Sequence, residues 1–239
     1  MEYSTNRKYF EVNKKPLFGG VILFLIGGAL IRVRFLVDNW LVYFACIAAF
    51  IVGGLLIVNF FTGGLKDSEV DALVNAEIAK AEAANKERLE TAERRTKVTK
   101  TYTCTDFVFD KSVATLFRKG RDGKCRSNVC KVTVLSICAG NLYLYTHSFS
   151  LIEDKTEDTF EKLPLETIES IELTENKVPC TYGKKVFVAT EKLLNVKSEK
   201  GISAFPTKED ALLTEMIDRT LSLAKAKKKE LAEQKPEEN

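Results

Sequence analysis

The sequence has one histidine, one tryptophan and two methionines in 239 residues. The lone histidine, His147, cannot build the usual metal or Cys-His site unless cysteines or carboxylates gather beside it. A surface or turn position is its ordinary expectation. No Asn-x-Ser/Thr acceptor occurs anywhere, which fits a cytoplasmic location for whatever is soluble here. No glycine-rich phosphate loop occurs either. Gly120 and Gly123 lie in a basic stretch but lack the strand–loop–helix setting and the Lys-Ser/Thr ending that such a loop needs. Charge of one sign is not in excess. Thirty-six basic and 33 acidic residues leave a formal net charge of +3, too small to argue for a nucleic-acid partner.

Cysteine is sparse and oddly placed. There are six, and Cys46 lies in an apolar run, leaving Cys104, Cys125, Cys130, Cys138 and Cys180. An odd number does not make a closed disulfide framework, so a reducing compartment is expected. Cys125 and Cys130 have a spacing that opens a zinc site, but no second pair completes it. Buried, inert thiols are the default. A Cys125–Cys130 disulfide becomes credible only if this part of the chain faces an oxidising space. Glu153, Asp154, Glu157 and Asp158 read as an acidic loop. No carboxylate pair sits in an apolar setting that would raise its pKa. The sequence therefore offers no argument for an enzyme, a metal or a cofactor.

What is present is sharply divided. A polar lead, residues 1–16, precedes two apolar runs that together form a segment over 17–62. A cleavable signal has one short apolar core, so both runs are better read as membrane spans. The first covers about residues 17–37. Its uncharged part, Leu17 to Ile31, is short of the roughly twenty residues a spanning helix needs, and Arg32 and Arg34 extend it by snorkelling to the interface. The second covers about residues 40–61, with Trp40 and Tyr43 at the headgroup level.

Only Asp38 and Asn39 separate the runs, so a tight antiparallel hairpin is predicted. Ala45, Ala49 and Gly53 recur every four residues, and Gly20 and Gly28 are two turns apart. These small residues are expected to pack the two helices together, or else to form an oligomer interface. Arg7, Lys8, Lys14, Lys15 and Lys66 outweigh Arg32 and Arg34, which places both termini in the cytoplasm.

Residues 65–98 read as a helix. Neither Gly nor Pro interrupts it, and Ser68 with Asp71 resembles a cap with an acidic partner. About thirty residues in a helix reach about 45 Å. The apolar strip of Val70, Leu73, Val74 and Ile78 is too thin for a long coiled coil. The segment is expected to be a solvated stalk, or a juxtamembrane helix that assembles with copies or a partner.

From residue 101 to 229 the pattern becomes β, then helix. Strands are predicted at Val129–Ala139, Asn141–Ser150, Leu165–Leu173, Lys185–Thr190, Leu193–Lys197 and Gly201–Phe205, with one or two more, or a strand and a short helix, in 101–117. Leu212, Leu213, Met216, Ile217, Thr220 and Leu221 share one helical face, and Thr207 with Asp210 makes a capping pair. The tail, 230–239, is polar and expected to be disordered. The fold class is α+β, a small antiparallel barrel or sandwich behind a membrane hairpin.

Three features resemble the pleckstrin-homology-like domains of bacterial membrane proteins: the strand phrase Asn141-Leu142-Tyr143-Leu144-Tyr145-Thr146, the run from Leu163 to Leu173 with its Ile-Glu-Ser-Ile core, and the terminal helix. The resemblance spans residues 141–221. It implies a barrel closed by its C-terminal helix, a bacterial inner-membrane location, and binding rather than catalysis. It also gives meaning to a basic cluster, Arg118, Lys119, Arg121, Lys124 and Arg126, which surrounds only Asp122. Such a loop meets anionic lipid headgroups or a partner in proteins of this kind, and each charge gains about 1 kcal/mol near an anionic membrane. The expected function is a non-enzymatic scaffold that binds a partner protein or its own copies. The alternative is lipid or ligand sensing.

Overall fold

A computed structural model describes residues 2–11, 14–34, 39–62, 64–93, 100–208 and 210–234. The chain divides into two compact units, residues 2–66 and the residues from Asp67 onward.

The first unit contains α1 (Tyr3–Phe10), α2 (Lys15–Arg34) and α3 (Trp40–Thr62). Two stretches, Lys15–Arg32 and Trp40–Phe61, are long and apolar enough to cross a membrane, and only 11% of each is buried within the protein. A core helix of a soluble protein would be mostly buried, so the apolar surface here faces outward.

The two helices pack through small residues. A Cβ on Gly20 would meet the Gly53 carbonyl oxygen at 2.8 Å, and one on Gly53 would meet that of Gly20 at 2.9 Å. Ala49 is buried, and the Cys46 thiol donates to the Gly27 carbonyl at 3.3 Å. Two expected positions are corrected. Gly28 has no atom within 4 Å of its would-be Cβ, and Ala45 is exposed. The contacts follow a seven-residue repeat, 20/27 on one helix and 46/53 on the other, because 3.6 residues per turn carries a strict four-residue spacing off the seam. Residues 35–38 of the predicted connection lie outside the described residues.

The second unit begins with α4 (Asp67–Ala92) and ends with α5 (Ala211–Gln234). Between them the described residues form nine strands: β1 (Lys100–Phe107), β2 (Phe117–Lys119), β3 (Cys125–Ser127), β4 (Val129–Cys138), β5 (Asn141–Ser150), β6 (Thr156–Pro164), β7 (Ile168–Tyr182), β8 (Lys185–Ser198) and β9 (Gly201–Pro206). They form an antiparallel sheet β1-β4-β5-β6, a hairpin β2-β3 and an antiparallel sheet β7-β8-β9. The expected closed barrel is not formed, because the four- and three-stranded sheets remain separate. A 3-10 turn, Leu165–Thr167, links them where a continuous strand from Leu165 was predicted. The predicted pair Lys185–Thr190 and Leu193–Lys197 is one long strand, β8.

The central strands of the four-stranded sheet, β4 and β5, are buried on both faces. Side chains alternate along a strand. Leu135, Ile137, Leu142 and Leu144 face the three-stranded sheet, and with Leu194 and Val196 they build the main core. Leu213 and Met216 of α5 fill its end. Asp210 caps α5 itself, its Oδ1 accepting the Leu213 amide at 2.7 Å. The helix runs to Gln234, so it takes in the first part of the tail expected to be disordered.

The other face of the sheet is covered by α4. Val70, Val74, Glu77, Ala81, Asn85 and Leu89 are its buried residues, three or four apart, which is one helical face. Leu89 packs on Cys138 and Tyr143, and Arg88 lies over the Tyr145 ring at 5.2 Å. The segment expected to stand as a solvated stalk is a layer of the domain. Its last expected residues, 94–98, lie outside the described residues.

Candidate functional site

The basic stretch folds as the β2–β3 hairpin, and its five cations have three different fates. Arg126 is fully buried. Its Nε donates to Asp71 Oδ1 at 2.9 Å, and its Nη2 donates to Asp71 Oδ2 at 2.8 Å and to Asp122 Oδ2 at 2.7 Å. A two-point Arg–carboxylate contact of this kind is strong and directional. Asp122 is held down at about 2, chiefly by its hydrogen bond from Arg126. The expectation that Arg126 meets a headgroup or partner is therefore corrected: it is the internal bolt that joins hairpin to helix. Arg118 is half-buried, its guanidinium 5.6 Å from the Tyr182 ring centre. Lys119, Arg121 and Lys124 are exposed.

The turn of this hairpin also grips α4. The Arg121 amide donates to Asp67 Oδ2 at 2.7 Å. Gly120 makes the close approach possible, since a Cβ there would lie 2.5 Å from Asp122 Oδ1, 2.6 Å from Arg126 Nη1 and 2.8 Å from Asp67 Oδ2. Asp71, which the sequence pattern offers as a capping partner for Ser68, is engaged with Arg126.

A second cluster lies deeper between α4 and the sheet. His147 is buried, and its Nδ1–H donates to Asp158 Oδ1 at 2.6 Å. Its Nε2 lies 3.5 Å from Glu77 Oε2, within ion-pair range, but makes no hydrogen bond among the described residues. Glu77 also takes Lys80 at 2.7 Å. Asn85 Nδ2 donates to Ser136 Oγ at 3.1 Å, while its Oδ1 has no partner among the described residues. The surface or turn position expected of the lone histidine is replaced by a buried one flanked by carboxylates. Asp158 comes from the stretch read as an acidic loop, of which Glu157 and Asp158 belong to the edge strand β6 and Glu153 and Asp154 precede it.

The six cysteines are all free thiols. Burial pushes Cys104 and Cys130 up to about 12. Both are protonated and unreactive at neutral pH.

Two further surfaces complete the inventory. The outer half of the β7–β8 hairpin exposes Val186 (71%) and Val188 (57%). β9 pairs only with Leu193–Ser198, and the Lys192 carbonyl accepts the Thr207 amide at 2.9 Å, so no strand beyond β7 pairs with β8 from Lys185 to Glu191 among the described residues, although the Cys125 thiol reaches the Val188 carbonyl at 4.0 Å. Between the two sheets, at the end away from α5, lies a cavity of about 330 Å³. Neither surface was singled out by the sequence pattern, since Val-Phe-Val reads equally as buried strand and a cavity needs two sheets to exist. No protein-family model, curated protein or solved structure matches this chain, so the chemistry of these surfaces stands on their own geometry.

Proposed function

We propose that this chain is a membrane-anchored interaction protein without catalytic chemistry of its own. In this reading α2 and α3 hold it in a lipid bilayer, both termini lie on the cytoplasmic side of a bacterial inner membrane, and the β unit binds a partner protein or a second copy. The observation that carries it is the outer half of the β7–β8 hairpin. An unpaired strand edge beside exposed valines is a template for an added strand, and folded proteins otherwise blunt such edges. The succession of four strands, three strands and a closing helix supports the pleckstrin-homology-like reading.

The test is extraction of the full chain in mild detergent after cross-linking. A cross-linked partner or dimer is expected, and Val186→Lys with Val188→Lys should abolish it. Monomer alone, or cross-links indifferent to those changes, would overturn the reading.

A second reading is favoured by the hairpin β2–β3. Lys119, Arg121 and Lys124 project from an element bolted to the first turn of α4, and only four residues, 63–66, separate α4 from the apolar helix α3. Each exposed charge gains about 1 kcal/mol at an anionic surface. Lys119→Glu with Arg121→Glu and Lys124→Glu should then weaken binding of the reconstituted chain's β unit to anionic lipid, read as loss of lipid-dependent protection of residues 117–127 from hydrogen exchange.

A further inference from the structure

The space between the two sheets changes character along the strands. Toward α5 the inward positions are apolar, as in Leu135 and Leu144. Toward the opposite end the strands turn polar. β4 contributes Lys131, β5 Thr146 and Ser148, β6 Glu157 and Thr159, and β8 Glu191, and all six line the cavity of about 330 Å³. A sandwich interior serving stability alone would stay apolar to its rim. Of the six, Thr146 and Glu191 are buried, and a buried polar group costs free energy unless it finds a partner.

Hydrogen bonds are met in part, since Asp110 Oδ1 accepts the Ser112 amide at 2.9 Å and Thr146 shares a bond with Thr133 at 3.1 Å, but counter-charges are wanting. Among the described residues neither Lys131, Glu157, Glu191 nor Asp110 at the cavity wall forms an ion pair. Glu191 is buried and is aimed by the Phe109 amide, which donates to its Oε1 at 3.1 Å. Behind it, burial raises Asp106 above the usual carboxylate range, with Glu191 adding to the effect. The wall thus holds three carboxylates, one ammonium and three hydroxyls around a space at the small end of ligand sites, which run from about 300 to 1,000 Å³.

We propose that this cavity binds a small zwitterion of net positive charge, the size and charge class of a free basic amino acid. Its two cationic groups meet Glu191 and the Glu157–Asp110 side of the wall. Its carboxylate meets Lys131, and Thr146, Ser148 and Thr159 bond the polar remainder. The site lies between the sheets, and although Glu191 belongs to the same strand as the unpaired edge, none of Val186, Val188, Lys119, Arg121 and Lys124 lines it, so it is tested separately from partner or lipid binding.

The test is titration of the full chain in lipid nanodiscs with L-arginine and L-lysine, with L-leucine and L-glutamate as comparators, read by calorimetry and by thermal unfolding. Saturable binding of a basic amino acid, a raised unfolding temperature and no comparable effect of the comparators are expected. Glu157→Gln and Lys131→Met should each weaken binding by about tenfold or more, the scale of one lost charge contact. Glu157 is exposed at a strand edge, so its variant folds and decides the matter if Glu191→Gln does not. No saturable binding of either basic amino acid, equal binding of L-glutamate, or unchanged affinity in Glu157→Gln and Lys131→Met would each overturn the proposal.

Discussion

The two faces of the four-stranded sheet are built by opposite rules. The inner face meets the other sheet through Leu135, Ile137, Leu142 and Leu144, all nearly inaccessible to water. The outer face meets α4 through Val70, Val74, Ala81 and Leu89, but with Glu77, Asn85, His147 and Ser136 buried among them. Apolar burial is non-directional, so the inner face is strong and tolerant. Buried polar pairs add little net stability but penalise any other alignment. The inner face accordingly supplies stability, and the outer face fixes one register of helix on sheet.

Four changes break or sharpen this contrast. The largest effect is expected where the outer layer is bolted. Asp71→Asn with Asp122→Asn removes two carboxylates from a guanidinium with no exposed surface. It should destabilise the second unit by about 3–5 kcal/mol, whereas Arg126→Met should cost distinctly less because the buried charge goes too. Chemical denaturation in detergent checks both. Next comes the inner face. Leu144→Ala opens a cavity in the main core and should cost about 2–5 kcal/mol by the same measurement, with loss of tight packing in both sheets.

A smaller effect is expected within the outer face. Asn85→Ala loses one hydrogen bond to Ser136, removes an unpartnered buried oxygen and improves helix propensity. The net change should stay below about 1 kcal/mol. A loss of several kcal/mol would show that the polar contacts of this face carry stability after all.

The smallest effect is a pH response. The carboxylate of Asp122 is depressed from 3.8 to about 2 by Arg126. A depressed acid stabilises the folded form above its unfolded value, and that stabilisation is lost as pH falls through the folded one. The protection of residues 117–127 from hydrogen exchange, taken relative to the intrinsic rate at each pH, should therefore fall between about pH 4 and pH 2 and hold steady above about pH 5. Salt should blunt the effect, because Asp122 is partly exposed.

The sequence made some elements plain and hid others for identifiable reasons. Both apolar helices, β4, β5 and the α5 face were legible because their patterns are unambiguous. β6 was missed because it is an edge strand. Thr156-Glu157-Asp158-Thr159 is exposed, and only Leu163 near its end is fully buried. Within the candidate sites, the basic cluster was legible as composition, but five cations in nine residues do not reveal which one is buried. Arg126 is singled out only by Asp71, 55 residues earlier. The small-residue seam of the membrane hairpin was legible to within one residue, since Gly27 and Cys46 replace Gly28 and Ala45.

By itself the sequence determined two long apolar helices, a helix free of breakers after them, an antiparallel β region and a closing amphipathic helix. Each rests on local propensity and periodicity, which act over neighbouring residues. Only the tertiary structure decided that the breaker-free helix is a layer of the domain, that its buried stripe includes Glu77 and Asn85, and that His147 is enclosed by carboxylates. Those outcomes depend on partners 50 to 70 residues away: Asn85 with Ser136, Asp71 with Arg126, Glu77 with His147. A polar residue can be buried wherever its partner is buried with it, and a one-dimensional pattern does not carry the identity of that partner.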